Sequence, residues 1–273
     1  MNKILLSVLL CIAPAFCYDF MTWNVRCENP DDTLNGNIWS KRLPHIVEAV
    51  EYISPDFLNV QEVNPTFVKD LESSLPEYDH VYLDEKSQNA IFYKKRFSVQ
   101  KKGEFYLSET PNKRSRGWDA KNKRTCLWTK FQDENGHVFF IFNTHFDHKG
   151  KQARINSALM VRDSIRNIAG NATVILSGDF NAYKTEKPLT ILNESDILEE
   201  AQYRTKRIYN PSGSINYFDP KRYSQWQFDY IFTTTDLEII RYSVPNFIYY
   251  DKDAELLRFP SDHSPAVIQF NIQ

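Results

Sequence analysis

The feature that most constrains the fold of this chain is a repeated pairing of a short apolar run with a polar cluster. Phe57–Val60 leads directly into Gln61-Glu62, and Thr173–Leu176 leads into Ser177–Asn181. Runs of this length that are apolar throughout are typical of buried strands rather than helices. Such strands need a covering layer on both faces. We therefore expect packed β-sheets covered by helices, with the polar clusters gathered along one edge.

The same patterning predicts the other main elements. Apolar residues at helical spacing predict one helix that begins after Trp39 and ends before Pro55, and another from about Lys151 to Ile168. At 273 residues, with no change of composition along the chain, we expect a single domain. Further strands are expected at Asp19–Asn24, Asn89–Tyr93, Thr125–Phe131, Val138–Phe142, Phe228–Phe232 and Ala266–Ile272.

Overall composition excludes a disordered chain and leaves the class of ligand open. Hydrophobic residues make up 42% and charged residues 25%, as in ordinary globular proteins. Lys and Arg total 33 against 35 Asp and Glu, so no global positive field indicates nucleic acid. A bound divalent cation can supply positive charge locally, and a nucleic-acid substrate is therefore not excluded.

The N-terminal segment has the layout of a secretory signal. Lys3 is followed by an apolar run from Ile4 to Phe16 that is broken by Pro14 and is too short to span a bilayer. We predict a signal peptide over residues 1–17, a mature domain over 18–273, and a secreted or periplasmic protein without a membrane anchor. A buried first strand or helix is the alternative. Removal of the segment would leave Cys27 and Cys126, whose pairing in a disulfide stays open.

Polar residues at the predicted strand ends are the candidates for chemistry. Each of them alone is compatible with a turn. Together they supply carboxylate and amide oxygens and two imidazoles, a set that suits Mg²⁺, which prefers a few carboxylates and retained waters. The chain contains no HExxH, GxSxG or P-loop motif. The candidates are Asn24, Glu62, His145, Asp179, Asn181, Asp229, Asp262 and His263.

These candidates belong to six short motifs, which are, in chain order, Trp23-Asn24-Val25, Gln61-Glu62-Val63, Asn143-Thr144-His145, Ser177-Gly178-Asp179-Phe180-Asn181, Phe228-Asp229-Tyr230 and Ser261-Asp262-His263-Ser264-Pro265. In sequence and in order the motifs resemble those of the endonuclease/exonuclease/phosphatase superfamily, with deadenylase-like and secreted bacterial members as the most similar branches. The resemblance implies an α/β four-layer sandwich with two packed, mostly antiparallel β-sheets flanked by helices, and metal-dependent hydrolysis of phosphate esters.

The resemblance also implies how a metal and the attacking water are held. Glu62 is expected to be the principal ligand of Mg²⁺, which Mn²⁺ could replace, and Asn24 and Asp262 are expected to contribute directly or through water. Asp179 would orient or deprotonate the attacking water, and Asn181 would hold Asp179 and a phosphate oxygen. Such groups stabilise the charge that builds on phosphate oxygens during in-line attack.

The remaining roles concern phosphate binding. The resemblance implies that Asp229 fixes the tautomer of His263, which then contacts the phosphate or assists proton transfer. His145 would lie near the leaving oxygen, and Arg124 would contact the phosphate. His148 is a further candidate for substrate binding, and a loop histidine beside the site is the interpretation we favour for it.

A basic segment before Arg124 is a candidate for substrate recognition. Arg114 and Arg116 lie close to Trp118 in it, and basic residues around an aromatic ring can grip a phosphate backbone and stack a base. The alternative is a solvated loop with Trp118 packed on the domain.

Three classes of function follow, and we expect a monomer in each. The first is a phosphodiesterase acting on nucleic acid, the second a phosphatase or phospholipase-type hydrolase acting on a sugar phosphate or lipid head group, and the third an inactive binding scaffold. The complete acidic and histidine set argues against the third. An open groove beside residues 113–124 would favour the first, and a closed pocket the second.

Overall fold

The computed structural model describes residues 17–83, 87–221 and 225–272. The helices are α1 Pro30–Leu34, α2 Trp39–Ile53, α3 Pro65–Ser74, α4 Lys151–Ala169 and α5 Lys187–Asn193. The strands are β1 Cys17–Asn24, β2 Phe57–Gln61, β3 Tyr78–Val81, β4 Asn89–Lys94, β5 Ser98–Tyr106, β6 Thr125–Gln132, β7 Val138–His145, β8 Thr173–Asp179, β9 Glu199–Glu200, β10 Ile208–Tyr209, β11 Asp229–Thr233, β12 Leu237–Ser243, β13 Tyr249–Asp251, β14 Leu256–Arg258 and β15 Ala266–Ile272.

The strands form two large sheets and one hairpin. The order in the first sheet is β10-β12-β15-β1-β2-β4-β3, and in the second β5-β6-β7-β8-β11-β9, while β13 pairs with β14. In both large sheets most neighbours are antiparallel; the parallel pairs are β1 with β2, β7 with β8 and β10 with β12. The prediction of two mostly antiparallel sheets is confirmed.

Three apolar clusters hold the layers together. The first lies between the two sheets, where Phe57 meets Phe97, Phe131 and Phe139 at ring-centroid distances of 4.3, 5.1 and 5.3 Å. The second packs α4 and α5 on the outer face of the second sheet. The third packs α2 and α3 on the outer face of the first sheet. Buried strands covered in this way form the four-layer sandwich that the resemblance implied.

Strand register places the polar ends of the strands side by side. In the second sheet, Asp179 pairs with His145 across the parallel β7–β8 ladder and with Asp229 across the antiparallel β8–β11 ladder. In the first sheet, Asn24 at the end of β1 lies opposite Gln61 at the end of β2. One edge of the sandwich therefore collects the residues that the sequence singled out.

A polar network joins the two sheets close to this edge. The Asn59 amide donates to Ser177 Oγ over 2.8 Å, and the Gln61 amide donates to Asn143 Oδ1 over 2.8 Å. All of these side chains are fully buried. Because buried polar groups are stable only with partners, these bonds fix how the two sheets face each other beneath the site.

All the predicted helices and strands are present. The strands that the sequence pattern did not predict are half-exposed ones, such as β3, β5 and β12. Of the predicted signal peptide, residues 1–16 lie outside the described residues, while Cys17 begins β1 opposite Asn271. Cys27 and Cys126 are both free thiols. Within the described ranges, every helix is too short or too polar to cross a bilayer.

Candidate functional site

The polar strand ends surround one cavity of about 290 Å³. The predicted residues in its wall are Glu62, Arg124, His145, His148, Asp179, Asn181 and His263. Directly behind this wall lie Asn24, Asp229 and Asp262, each in contact with a wall residue. The structure thus brings every residue of the predicted catalytic and metal-binding sets to one place.

Asp179 is the centre of the site. Its Oδ1 accepts a hydrogen bond from the Asn181 backbone N–H (2.9 Å), and its Oδ2 accepts one from the Asn24 amide (3.0 Å). The same Oδ2 lies 3.3 Å from His145 Nε2 and 3.8 Å from His263 Nε2. Burial raises the pKa of Asp179 to about 7, against the opposing charge of His263. A carboxylate with such a pKa is suited to accept a proton near neutral pH.

His145 is held as a neutral imidazole. Its Nδ1 lies 2.9 Å from Arg124 Nη1 and therefore accepts a hydrogen bond from the guanidinium. Burial and the charge of Arg124 lower the pKa of His145 well below its usual value. The Nε2 proton then faces the acceptor oxygen Asp179 Oδ2. His145 can consequently donate from Nε2 but cannot easily take up a second proton.

His263 is in the opposite protonation state. Its Nδ1 lies 2.7 Å from Asp229 Oδ2, and both side chains are buried. Burial by itself would lower the pKa of His263, but the carboxylates of Asp229 and Asp179 raise it well above its usual value. Asp229 therefore fixes an imidazolium whose Nε2–H points toward Asp179 and the cavity. The site contains one neutral and one charged imidazole on either side of one carboxylate.

Glu62 and Asn181 both have strained backbones. Their φ angles are +64° and +47°, in the left-handed region that residues other than glycine rarely adopt. Glu62 Oε2 accepts from the Cys27 backbone N–H (2.8 Å) and Oε1 from the Asn24 amide (3.1 Å). Although burial would raise the pKa of Glu62, the hydrogen bonds from Cys27 and Asn24 lower it. An ionised carboxylate is therefore aimed into the cavity.

The sequence matches one protein family over most of its length. Residues 21–263 match the model of the Endonuclease/Exonuclease/phosphatase family. The chain belongs to this family. Members of this family hydrolyse phosphate esters.

Solved structures share the whole fold of this family member. An endonuclease/exonuclease/phosphatase family protein from Bacteroides thetaiotaomicron is 32% identical with a TM-score of 0.90, and the match covers 94% of this chain and 96% of that one. A mannosyl-6-phosphatase from the same organism is also 32% identical, with a TM-score of 0.87 and coverage of 93% and 99%.

Curated relatives are longer than the matched region. Two uncharacterised proteins of Acanthamoeba polyphaga mimivirus are 29% and 21% identical, over 160 and 236 residues. The match spans 59% of the length of the first and 34% of the second.

Members of this family are typically dependent on a divalent metal, and the donors present fit one. Asp262 Oδ1 is buried and has no hydrogen-bond partner among the described residues, while its Oδ2 lies 3.3 Å from Arg26 Nη1. A buried carboxylate oxygen without a partner is costly unless a cation meets it. Glu62 supplies a second, ionised carboxylate. Asn24 directs its amide nitrogen at Glu62 and Asp179, so it acts in this structure as a donor that holds both carboxylates.

A second grouping of possible ligand atoms consists of Asp179, Asp229 and His263, which lie within 4.8 Å of one another. Asp229 and His263 already share a 2.7 Å hydrogen bond, which occupies the imidazole Nδ1. Mg²⁺ also prefers oxygen to nitrogen ligands. Glu62 and Asp262 are therefore the better pair to hold the metal.

A basic cavity of about 420 Å³ adjoins the cavity around Asp179, which we call the catalytic cavity, and shares Gln88 and Asn122 with it. Arg114 and Arg116 line it, as do Lys121 and Lys123. Trp118 is not among the described residues that line either cavity. The structure thus brings the two predicted arginines next to the site without the predicted aromatic ring.

Two carboxylates hold this basic segment in place. Asp147 accepts backbone hydrogen bonds from Lys121 (3.0 Å), Asn122 (2.8 Å) and Gly150 (2.8 Å), and these bonds lower its pKa to about 2 in spite of burial. Asp119 accepts from the backbone of Ala153 at the start of α4. The wall shared by the two cavities is therefore tied to the strand end that carries His145.

Several wall residues were not predicted from the sequence, among them Arg26, Cys27, Gln88 and Asn122. Arg26 follows the Trp23-Asn24-Val25 motif directly, which is the one signal that could have indicated it. The buried guanidinium of Arg42, by contrast, donates to backbone carbonyls only, including those of Val25 and Arg26, and so shapes this turn from behind.

Proposed function

We propose that the chain is an exported Mg²⁺-dependent phosphoesterase whose substrate is a phosphate monoester of a sugar. The observation that carries the hydrolytic part is the position of Asp179 between a neutral and a charged imidazole in a single cavity. The class of ester is supported by the likeness, over nearly the full length of both chains, to a mannosyl-6-phosphatase.

Each residue around the catalytic cavity has its own role in the proposed reaction. Asp179 accepts a proton from the attacking water, because burial raises its pKa to about 7. As the bond between phosphorus and the sugar oxygen breaks, the charged His263 gives its Nε2 proton to that oxygen. The neutral His145 donates a hydrogen bond from Nε2 to a phosphate oxygen, and Arg124 adds a fixed positive charge beside His145. Glu62 and Asp262 would hold Mg²⁺. The metal, when bound, stabilises the charge that develops on the phosphoryl oxygens.

A substrate panel tests this proposal. The purified protein is assayed with mannose 6-phosphate, p-nitrophenyl phosphate, sphingomyelin, DNA and RNA, each with Mg²⁺, Mn²⁺ or EDTA. We expect phosphate release from the sugar phosphate to have the highest kcat/KM and to require metal. Cleavage of a nucleic acid with a higher kcat/KM would replace the sugar-phosphate proposal by the second candidate below.

The second candidate is a phosphodiesterase that acts on a nucleic-acid strand. It is favoured by the basic cavity, in which Arg114, Arg116, Lys121 and Lys123 lie beside the catalytic cavity. A strand whose scissile phosphate lies in the catalytic cavity would place a neighbouring phosphate among these side chains, which is how basic grooves follow a backbone.

Replacing Arg114 and Arg116 together by Ala tests the second candidate. If a strand binds there, KM should rise and its log–log dependence on salt should weaken by roughly 0.7 to 0.9 for each phosphate that the variant no longer neutralises. The turnover number should change much less, because the metal ligands and His263 lie outside the basic cavity. Steady-state kinetics from low to high salt give both quantities.

The matched control for this double variant replaces Lys101 and Lys102, which are exposed on β5 and carry the same charge. It should leave the salt dependence as it is in the natural protein. Equal salt dependence in all three proteins on a long strand would exclude binding of the strand in the basic cavity.

Export is the remaining part of the proposal, and it is motivated by the Lys3 and Ile4–Phe16 pattern. Two sequons, at Asn171 and Asn193, are exposed and would accept glycans in a eukaryotic secretory route. N-terminal sequencing of the protein recovered outside the cytoplasm should find a start near Tyr18. Recovery of the protein in the cytoplasm with Met1 to Cys17 intact would contradict it.

A further inference from the structure

Besides the basic cavity, another cavity lies beside the catalytic one, on the side of Asn181. Its volume is about 540 Å³, and Tyr183, two residues after Asn181, forms part of its wall. Two residues span at most about 7 Å between Cα atoms, so the two cavities are neighbours. The hydrolytic chemistry of the family does not require this cavity, and none of the predicted site residues lines it.

Aromatic rings form one side of this cavity, which we call the aromatic cavity. Tyr183 and Trp226 meet edge to face at a centroid distance of 6.0 Å, and their exposed fractions are 39% and 40%. Tyr217 packs on Trp226 at 5.9 Å and Phe228 on Tyr183 at 5.2 Å. Rings with this exposure offer apolar surface that a ligand can contact.

The polar side of the cavity is formed mainly by neutral amides. Gln202, Asn210, Gln225 and Gln227 lie in the wall, and Asn210 is oriented by a 2.8 Å hydrogen bond from its amide to Gln227 Oε1. Lys184 is the one charged side chain among the described residues of the wall. Amides both donate and accept hydrogen bonds, so this wall suits a neutral ligand rich in hydroxyl groups.

The cavity is rigidly connected to the catalytic residues. Phe180 N–H donates to the Phe228 carbonyl (2.8 Å), and Asn216 N–H donates to the Asp262 carbonyl (2.9 Å). Gly213, at φ +68°, lies so close to Trp226 that an added Cβ would be 2.5 Å from its carbonyl oxygen. A ligand that occupies the aromatic cavity is therefore held at a constant position relative to Asp179.

We infer that this cavity is a carbohydrate-binding subsite, and that the substrate is a phosphorylated oligosaccharide rather than a free sugar phosphate. The inference rests on the proposed sugar-phosphate activity and extends it. The phosphorylated residue would lie in the catalytic cavity, and the next sugar residues would pack their C–H faces on Tyr183 and Trp226 while their hydroxyls bond to the amides.

The charge of the wall favours a sugar over a nucleic-acid strand. Stacked bases bring a phosphate with each nucleotide, and proteins match these phosphates with Lys and Arg. This wall offers Lys184 alone among its described residues, whereas the four basic side chains lie in the other cavity, next to Gln88. A neutral ligand with ring faces and hydroxyls fits the observed chemistry.

Binding of unphosphorylated mannotriose tests the subsite without using catalysis. Titration of the natural protein, followed by tryptophan fluorescence and by calorimetry, should show saturable binding. Trp226→Ala should weaken this binding by about 10-fold or more, since the stacking surface is removed, and Trp226→Phe should weaken it less. Tyr250→Ala, at an exposed tyrosine of β13, is the matched control and should bind as the natural protein does.

Kinetics provide the second measurement. The ratio of kcat/KM for mannotriose 6-phosphate to that for p-nitrophenyl phosphate should fall about 10-fold in Trp226→Ala and in Tyr183→Ala. The ratio cancels any general loss of active protein, and circular dichroism confirms that each variant is folded.

The outcomes separate the two proposals. Binding of mannotriose that depends on Trp226, in a protein that releases no phosphate from any sugar phosphate, would support the subsite and contradict the proposed activity. Phosphatase activity with no mannotriose binding and an unchanged kinetic ratio would overturn the subsite alone. Quenching by an oligonucleotide but not by mannotriose would also overturn it.

Discussion

Replacing Asp179 by Asn is expected to lower kcat by about 10³-fold, within the range found for loss of a general base. The variant keeps the shape of the side chain and one oxygen that can accept a hydrogen bond from the Asn181 N–H. It loses the carboxylate that lies between His145 and His263 and can take a proton. Initial rates on the best substrate of the panel, at saturating Mg²⁺, measure the effect.

This variant has two opposing effects on stability. Burial raises the pKa of Asp179, which means that the fold disfavours the ionised form of this carboxyl group at neutral pH, and Asn removes that cost. Its amide nitrogen, however, takes the place of Oδ2 and meets the Asn24 amide and the Nε2–H of His263, which are donors as well. The variant should therefore fold but melt, in EDTA, below the natural protein. Asp253→Asn, at a side chain that is 86% exposed, is the matched control and should keep full activity. A loss of kcat below about 10-fold would remove Asp179 from the proposed role.

Much of the site could be predicted because its residues belong to strands. Buried apolar runs predict where β7 and β8 end and where β11 begins, and these three points lie side by side in one sheet. The register of the strands then places these residues side by side, because His145 and Asp229 are the direct partners of Asp179 in the two neighbouring ladders. Order of motifs along the chain was sufficient to name these residues.

The aromatic cavity could not be predicted in the same way. Tyr183, Gln202, Asn210 and Trp226 come from separate connecting segments without periodic patterning. Their positions are set by contacts between residues far apart in sequence, such as that of Gly213 with Trp226. Loops of this kind have variable geometry, and single-residue signals in them indicate turns as often as sites.

The basic segment lies between these two cases. The density of charge before Arg124 was visible in the sequence, but the position of the backbone was not. It depends on Asp147, which accepts from Lys121 and Asn122, and on Asp119 within the segment, which accepts from Ala153 of α4. Polar edge strands were missed for a related reason. β5 is largely exposed, so its sequence lacks the apolar alternation by which strands are recognised.

Replacing Glu62 by Ala is expected to lower turnover by about 10³-fold or more and to abolish the response of the protein to Mg²⁺. In the natural protein, EDTA should remove activity, and Mg²⁺ or Mn²⁺ should restore it and raise the melting temperature. The variant should show neither restored activity nor the rise in melting temperature, because Asp262 alone cannot hold the ion.

The backbone conformation of Glu62 makes the comparison of Glu62→Ala with the natural protein informative. Ala has the same difficulty as Glu at φ +64°, so the substitution changes the ligand and not the strain. It does leave the Cys27 N–H without its acceptor, a loss of about 1–3 kcal/mol in stability if no water replaces it.

Glu62→Gln separates this structural effect from the loss of the metal. The amide keeps an oxygen for the Cys27 N–H but removes the negative charge that attracts the ion. In EDTA it should therefore melt above Glu62→Ala, although its amide nitrogen faces the Asn24 donor, and it should still fail to gain stability from Mg²⁺. Calorimetric titration with Mg²⁺ gives the affinity directly, and Glu48→Ala, at a side chain that is 69% exposed, is the control. Activity that survives both EDTA and the loss of Glu62 would show that hydrolysis in this fold proceeds without a metal held by this carboxylate.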